Sequence, residues 1–154
     1  MVKLGELAPD FTLPASSGQQ VTLSAFRGKN VVVYFYPKDM TPGCTTQACD
    51  FRDSLDLFND ENTIILGINR DTIAKHVTFI NKNNLPFQLL SDEEHVVTEL
   101  YGAWKLKKNF GKEYMGIERS TFVIDKEGKL VKEWRKVKVK EHVKEVLAVI
   151  KELA

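Results

Sequence analysis

Apolar residues along this chain occur in two alternating patterns, short continuous runs and longer stretches with a helical period. The run Val31–Tyr36 is apolar on both of its faces, which is typical of a central strand covered on each side. We expect it to end at Pro37, because proline cannot donate a hydrogen bond to a neighbouring strand. From Thr41 to about Asn59 the apolar positions recur at helical spacing, and this pattern predicts a helix.

The later part of the chain repeats this succession of strand and helix. Two apolar runs predict strands, each followed by an amphipathic helix with a polar residue that can cap it. A glycine-containing turn then predicts a hairpin, and a last amphipathic segment predicts the final helix. The predicted elements are strands at Thr63–Ile68 and Phe87–Leu90, a helix capped by Asp71 that carries Ile73, Val77 and Ile80, a helix capped by Ser91 or Asp92 that ends near Tyr101, a hairpin of Thr121–Ile124 with Leu130–Val131, and a helix with Val143, Val146, Leu147 and Ile150 on one face.

Two regions have weaker patterns. Near the start, Phe11–Leu13 and Val21–Leu23 alternate on either side of a turn and predict a small N-terminal hairpin. The stretch Lys105–Ile117 contains two glycines and several lysines, and we expect a mobile surface loop beside the functional site. Strands that alternate with helices predict an α/β fold, a central mixed β-sheet flanked by helices on both faces, with the hairpin as an N-terminal extension.

Length and charge restrict the class of protein. The 154 residues suit one domain spanning residues 1–154, without repeats or linkers. The 22 basic side chains nearly balance 21 acidic ones, and a net charge of +1 supplies no field for nucleic acid. No apolar run approaches the roughly 20 residues of a membrane span, and the first residues lack the apolar stretch of a secretory signal. We therefore expect a cytoplasmic protein that binds neither nucleic acid nor membrane.

The metal-ligating residue types are few and scattered. The chain has two cysteines, and a structural zinc site needs four ligands. The histidines His76, His95 and His142 show no short ligand spacing, and we expect them at the surface or as helix caps. No metal site is therefore expected. Two cysteines in such a chain are most often small buried apolar residues, so only their local sequence can argue for chemistry.

The residues around Cys44 argue for chemistry. Thr41 followed by Pro42 is typical of an N-cap and the first residue of a helix, which makes Cys44 the third helical residue. Its sulfur then lies near free backbone N–H groups and the positive end of the helix dipole, which favour a thiolate. The Thr41 hydroxyl can reach the amide or the sulfur of residue 44. These residues predict an activated, accessible thiolate; on their own they also allow an ordinary helix start with Cys44 packed inside.

The second cysteine, Cys49, lies five residues further along the same predicted helix. In an ideal helix this spacing means a rise of about 7.5 Å and a rotation of roughly 140°, so the two Cα atoms are about 8–9 Å apart. A disulfide needs Cα atoms within about 7 Å of one another. Either Cys49 is a bystander, or the first helical turns must unwind before the two cysteines can bond.

The run Pro37–Cys44, followed by Phe51–Asp53, resembles the active-site signature of the peroxiredoxins. It is most similar to the bacterioferritin comigratory protein (peroxiredoxin Q) subfamily. The similarity extends to Ala8–Leu13 and Gly116–Asp125, and it covers essentially the whole chain. The resemblance implies a thioredoxin-like fold with an N-terminal extension and a thiol-dependent peroxidase activity that requires no metal, haem or flavin.

The resemblance also implies a role for each matching residue. Cys44 would be the peroxidatic cysteine and Cys49 the resolving cysteine, while Thr41 would be a hydrogen-bonding partner of Cys44. Pro37 would shield the pocket, and Arg119 would be the active-site arginine. The implied substrates are hydrogen peroxide and organic hydroperoxides, and the implied reductant is thioredoxin or a similar dithiol. A monomer or a weak homodimer is expected.

Two other classes of function fit the same residues. A redox sensor would use oxidation of Cys44 to unwind the helix and alter a partner contact, and it would oxidise once and stop. A non-redox interaction module would have an ordinary, sluggish thiol at this position. Fold alone does not choose among the three, whereas the combination of Thr41, Cys44 and Arg119 favours the peroxidase.

Overall fold

The computed structural model describes residues 2–153. In chain order the elements are β1 (Thr12–Pro14), β2 (Gln20–Thr22), a 3₁₀ helix (Leu23–Phe26), β3 (Asn30–Phe35), α1 (Pro42–Asp60), β4 (Thr63–Asn69), α2 (Ile73–Asn83), β5 (Gln88–Ser91), α3 (Val96–Leu100), β6 (Trp104–Asn109), β7 (Lys112–Ile117), β8 (Ser120–Ile124), β9 (Leu130–Trp134) and α4 (His142–Glu152). The strands and helices expected from the apolar pattern are present, with ends that differ by one or a few residues.

A five-stranded sheet with the order β5-β4-β3-β8-β9 forms the centre of the fold. Strands β3, β4 and β5 are parallel, whereas β8 is antiparallel to β3 and β9 is antiparallel to β8. The sheet is therefore mixed, and β3 is its middle strand, as its two apolar faces predict. The small antiparallel hairpin of β1 and β2 lies outside this sheet and confirms the expected N-terminal extension.

Alternating residues of β3 face two separate apolar clusters. Val31, Val33 and Phe35 pack with the N-terminal hairpin and with α3 on one face. Val32 and Tyr34 pack on the other face with α1, α2 and α4. Helices thus cover both faces of the sheet, which confirms the α/β architecture.

The segment expected to be a mobile loop is a regular two-stranded hairpin, so that prediction was wrong. β6 pairs with β7 from Trp104 opposite Ile117 to Asn109 opposite Lys112. Phe110 and Gly111 form the two-residue turn with φ angles of 52° and 77°, as a type I′ turn requires. The sequence pattern concealed these strands because lysines occupy positions on both faces.

Three predictions about helix starts and histidines also need correction. Helix α2 is capped by Thr72, whose hydroxyl accepts a hydrogen bond from the Lys75 amide, and not by Asp71. His76 and His142 are buried instead of lying at the surface or capping a helix. Both lie on the inward side of an amphipathic helix, where a packed core surrounds them.

His95 holds the N-cap position of α3, in agreement with the expected cap role. The carboxylate of Asp92 nevertheless satisfies the first amides of this helix, accepting from Val97 and Thr98 at 3.3 and 2.7 Å. Within residues 2–153, no helix combines the length and apolar character that crossing a membrane requires.

Candidate active site

The start of α1 follows the carboxyl end of the central strand β3, where open α/β sheets commonly bind ligands. Thr41 is extended, with φ −84° and ψ 152°, and Pro42 is the first helical residue. The Thr45 amide donates to the Thr41 carbonyl at 2.9 Å and closes the first turn. The amides of Gly43 and Cys44 therefore have no partner within the helix, and the helix dipole directs partial positive charge to this point.

Cys44 lies in that first turn with 1% of its surface exposed. It belongs to the apolar cluster that includes Ala48 and Phe51, which follow at the four- and seven-residue helical spacing. The prediction that this thiol is accessible is therefore wrong for this conformation. The inward face of α1 packs on the sheet, and Cys44 is on that face.

Arg119 supplies the polar contact to this buried sulfur. It lies in the two-residue connection between β7 and β8 and is half-buried. Its Nη2 donates to the Sγ of Cys44 at 3.2 Å. A Cβ atom at Gly43 would lie 3.3 Å from the same Nη2, so glycine gives the guanidinium room. The structure thus brings together two residues that are 75 positions apart in the chain.

The other arm of the same guanidinium binds Gln47, a residue that the sequence reasoning missed. Arg119 Nη1 donates to Gln47 Oε1 at 2.5 Å, and the Gln47 side chain is buried. Among the described residues, no group accepts from Gln47 Nε2. A polar residue three positions after Cys44 shares its helix face, and that spacing was the available signal.

Thr41 does not make the hydrogen bond expected from its position. Its hydroxyl donates to the carbonyl of Lys38 at 3.0 Å, and within the described residues no hydrogen bond joins it to Cys44. The extended backbone at Thr41 turns the hydroxyl back toward the preceding loop. As a donor the hydroxyl is occupied, and its lone pairs are left as acceptors.

Pro37 is half-buried and lines an open cleft of about 540 Å³. The opposite wall of the cleft belongs to the β6–β7 hairpin, which contributes Lys107, Tyr114 and Met115. Neither Cys44 nor Arg119 lines this cleft. The cleft therefore reaches the loop before α1 and stops short of the buried sulfur.

A buried polar network holds the loop between β3 and α1. Asp39 accepts a hydrogen bond from the Tyr36 hydroxyl at 2.6 Å and contacts the His76 Nδ1 at 2.6 Å. The His76 Nε2 lies 3.1 Å from the Leu90 carbonyl, which can only accept. The Asp39 amide donates to Asp71 at 2.7 Å. These contacts tie the loop to α2 and β5, and the sequence reasoning found none of them.

Cys49 is half-buried in the same unbroken helix as Cys44, and both thiols are free. Its Sγ lies 4.0 Å from Asn83 Oδ1 at the end of α2. One turn further on, Arg52 donates to the Asn83 carbonyl at 2.7 Å. The structure therefore places both cysteines in one wound helix, as their spacing predicts, and does not join them.

The charge of Arg119 acts on two neighbouring basic groups. Burial lowers the pKa of Lys107 on β6, and the nearby guanidinium of Arg119 lowers it further. Burial, with a smaller effect of Arg119, also lowers the pKa of His142 to about 4. An anionic sulfur at residue 44, 3.2 Å from the same guanidinium, would therefore lie in the positive field of Arg119.

A buried thiol bound by a guanidinium at a helix start beside the central strand defines a thiol-dependent redox enzyme. Comparison with known proteins agrees with this class. Residues 4–133 match the AhpC/TSA family, and the chain belongs to that family. The chain is 58% identical to peroxiredoxin Bcp of Bacillus subtilis over 153 residues, which cover 99% of this chain and 98% of the relative. It is 46% identical to peroxiredoxin Bcp of Escherichia coli over 153 residues, with the same coverage.

Solved structures lead to the same class. Peroxiredoxin Q of Xanthomonas campestris superposes with a TM-score of 0.91 at 42% identity and covers 99% of this chain and 96% of its own. A structure of the X. campestris bacterioferritin comigratory protein, described for its alkyl peroxide reduction activity, has a TM-score of 0.91 at 41% identity, with 99% and 97% covered. The chain is a thioredoxin-like peroxiredoxin, a thiol-dependent peroxidase that acts on peroxides. The resemblance inferred from its motifs is confirmed.

Proposed function

We propose that Cys44 is the peroxidatic cysteine of a thioredoxin-dependent peroxidase that reduces hydrogen peroxide and organic hydroperoxides. The observation that carries this proposal is the bridge of Arg119 between Cys44 and Gln47, at a helix start with free amides. A cation and the helix dipole both stabilise a negative sulfur, and the thiolate is the nucleophilic form of cysteine.

The first step is attack of the Cys44 thiolate on the terminal oxygen of the hydroperoxide. An S–O bond forms and the O–O bond breaks, so the sulfur loses two electrons and becomes a sulfenic acid. The departing alkoxide takes a proton from solvent and leaves as an alcohol, or as water when the substrate is hydrogen peroxide. Negative charge moves from sulfur to oxygen during this step. Donors that are already in place therefore lower the barrier.

Each of the surrounding residues has a proposed part in that step. Arg119 and the Cys44 amide donate to the oxygens as they become negative. Thr41 accepts the hydrogen bond of the peroxide hydroxyl, because its own proton is donated to the Lys38 carbonyl. Pro37 shields the sulfur from bulk water, and the peroxide approaches from the cleft that Pro37 lines.

We further propose that Cys49 is the resolving cysteine. Its thiol condenses with the sulfenic acid on Cys44, which forms an intramolecular disulfide and releases water. Helical geometry keeps the two Cα atoms about 8–9 Å apart, so the first turns of α1 unwind before this bond forms. A dithiol reductant such as thioredoxin then restores both thiols by thiol–disulfide exchange.

The whole chain is proposed to act as one domain, as a monomer or weak homodimer in the cytoplasm. Both apolar clusters pack on opposite faces of the same sheet, which supports a single folding unit. The even balance of charges supports a protein that uses neither nucleic acid nor membrane as partner.

A coupled assay tests this proposal. NADPH consumption is followed with thioredoxin, thioredoxin reductase and, in turn, hydrogen peroxide, an alkyl hydroperoxide and a fatty-acid hydroperoxide. The wild type should consume NADPH through many turnovers, and Cys44→Ser should abolish consumption with every substrate. Appreciable turnover by Cys44→Ser would reject the assignment of the peroxidatic cysteine. A single turnover of the wild type would support the sensor instead.

The resolving role has its own readout in the same assay. Cys49→Ser should still allow one oxidation of Cys44 but lose recycling by thioredoxin. Mass spectrometry of the oxidised wild type should give a mass two hydrogens lower, as the disulfide requires. Unchanged recycling by Cys49→Ser would make this cysteine a bystander.

A further inference from the structure

The β6–β7 hairpin has an exposed aromatic tip that its own fold does not need. Phe110 is 96% exposed, and it occupies the first turn position with a φ of 52°. Type I′ turns favour Asn or Gly there, because a bulky side chain is strained at positive φ. No packing contact compensates for this strain, since the ring lies in solvent. An aromatic residue that is unfavourable in its turn and makes no packing contact within the fold points to a role in contact with another molecule.

The hairpin also carries more positive than negative side chains. Residues 104–117 contain four lysines and one glutamate, whereas the whole chain has a net charge of only +1. Glu113 pairs with Lys108 at 3.4 Å. Among the described residues, Lys105, Lys107 and Lys112 take part in no ion pair. Lys112 adjoins the apolar tip, whereas Lys105 and Lys107 lie nearer the root of the hairpin. An apolar tip with unpaired cations along the strands matches an acidic partner with an apolar patch.

A pair of exposed apolar residues also lies between the tip of the hairpin and its root. Leu106 and Met115 are paired across the strands on one face, and they are 57% and 47% exposed. Met115 also lines the cleft beside Pro37. The hairpin thus carries two exposed apolar areas, the tip at Phe110 and the Leu106–Met115 pair, with the Lys108–Glu113 ion pair between them on the same face. Aromatic and methionine side chains are enriched in this way at protein interfaces.

The root of the hairpin is fixed at the active-site end of the sheet. The Trp104 ring stacks on His95 with centroids 4.2 Å apart, and the Arg70 guanidinium lies 4.9 Å from its centre. The far end of β7 is two residues from Arg119. Any protein that reaches a sulfur at the start of α1 therefore approaches beside this hairpin.

We propose that the β6–β7 hairpin is the docking surface for the dithiol protein that reduces the Cys44–Cys49 disulfide, and that this reductant presents an acidic face with an apolar patch. The proposal rests on the function proposed above. Thiol–disulfide exchange passes through a mixed disulfide, so the reductant must come into contact with the surface around α1. Phe110 enters the apolar patch of the reductant, and Lys105 and Lys112 accelerate its approach.

The sharpest test is Phe110→Asn, which removes the ring and installs a residue that the turn favours. Its thermal unfolding midpoint should equal or exceed that of the wild type. Its KM for thioredoxin should rise roughly fivefold to thirtyfold, the range for loss of an interface anchor. Turnover driven by dithiothreitol and single oxidation by peroxide should stay unchanged. A wild-type KM for thioredoxin would overturn the proposal.

The matched control is Leu7→Asn. Leu7 is 65% exposed, and it bridges to Lys129 near the start of β9, at the opposite end of the sheet. This variant should keep the wild-type KM for thioredoxin. Equal effects of Leu7→Asn and Phe110→Asn would overturn the proposal, because any exposed apolar residue would then suffice.

Charge is tested with two double variants of equal net charge. Lys105→Glu with Lys112→Glu should lower kcat/KM for thioredoxin roughly tenfold or more and abolish its decrease with salt. Lys82→Glu with Lys151→Glu, in the last turns of α2 and α4, should leave both values near those of the wild type. An equal decrease of kcat/KM for thioredoxin in the two double variants would overturn the proposal.

Two other binding partners for the hairpin, a second copy of this chain and a lipid surface, would each give a different experimental result. A sedimentation experiment in which Phe110→Asn dissolves a wild-type dimer, with an unchanged KM for thioredoxin, would assign the surface to a second copy and overturn the proposal. Binding to phosphatidylglycerol vesicles with an unchanged KM would assign it to lipid, with the same consequence. Absence of dithiothreitol-driven peroxidase turnover in the wild type would reject the proposed function itself.

Discussion

Arg119 and Gln47 are 72 positions apart in the chain, and a hydrogen bond of 2.5 Å joins the guanidinium of one to the side-chain oxygen of the other. The second arm of the guanidinium is thereby directed at Cys44, whose sulfur lies 3.2 Å from Nη2. A guanidinium has a planar fork of donors, so fixing one arm fixes the direction of the other. The active site that we propose is therefore a three-residue arrangement, in which Gln47 positions the cation.

Arg119→Ala should slow the oxidation of Cys44 by peroxide roughly 10²–10³-fold, the usual effect of removing one donor that is already in place. Arg119→Lys retains the positive charge but not the planar pair of donors, so its oxidation rate should lie between those of the wild type and Arg119→Ala. Stopped-flow measurement of a single oxidation, without reductant, gives these rates directly. A wild-type rate in Arg119→Ala would make this arginine an ordinary surface charge.

Gln47→Ala should reduce the same rate by roughly tenfold, because the guanidinium loses its anchor and samples other orientations. Gln47→Glu keeps an acceptor at this position and should restore most of the rate. The double variant Arg119→Ala with Gln47→Ala should be no slower than Arg119→Ala alone, since Gln47 acts only through the arginine. Additive losses in the double variant would contradict a positioning role.

Formation of the Cys44–Cys49 disulfide should unwind only the first part of α1. Phe51 and Phe58 are buried in the core, and Arg52 is hydrogen-bonded to the Asn83 carbonyl, so the later turns stay attached. Amides 45–48, whose hydrogen bonds form the first turns of α1, should lose protection from hydrogen exchange after oxidation, while amides 52–60 should retain it. Cys49→Ser treated with peroxide provides the control and should show no such loss. Loss of protection along the whole helix would contradict this boundary.

His142 should make the folded protein less stable in mild acid. Its pKa is lowered from 6.5 to about 4, first by burial and then by the charge of Arg119, so the fold favours the neutral ring. The stabilisation is complete above about pH 6.5 and is lost as the pH falls toward 4. Between about pH 7.5 and pH 5 this loss amounts to about 2 kcal/mol.

Urea unfolding at these two pH values measures the effect of His142. His142→Gln should show a smaller decrease in the free energy of unfolding than the wild type. His95→Gln is the matched control, since it removes a half-buried histidine that pairs with Glu99 near the surface. The same decrease in all three proteins would assign the acid sensitivity to other groups.

Local sequence predicted the parts of this protein that depend on a few neighbouring residues. The apolar run of β3 predicted a central strand, and Thr41-Pro42 predicted the start of α1. The place of Cys44 in the first helical turn followed from the same signals. These features are determined by backbone preferences and by the period of apolar residues, which act over a few residues.

Tertiary structure decided which distant groups meet at that helix. The pairing of β3 with β8 places Arg119 beside the start of α1, and no local pattern contains that register. The same packing buries Cys44, makes Gln47 a partner of the arginine and encloses His76 against Asp39. The sequence alone determined that a cysteine lies in the first turn of the helix after the central strand. The fold decided that its sulfur is buried and bound to a cation, because such contacts depend on sheet register and side-chain packing across the whole chain.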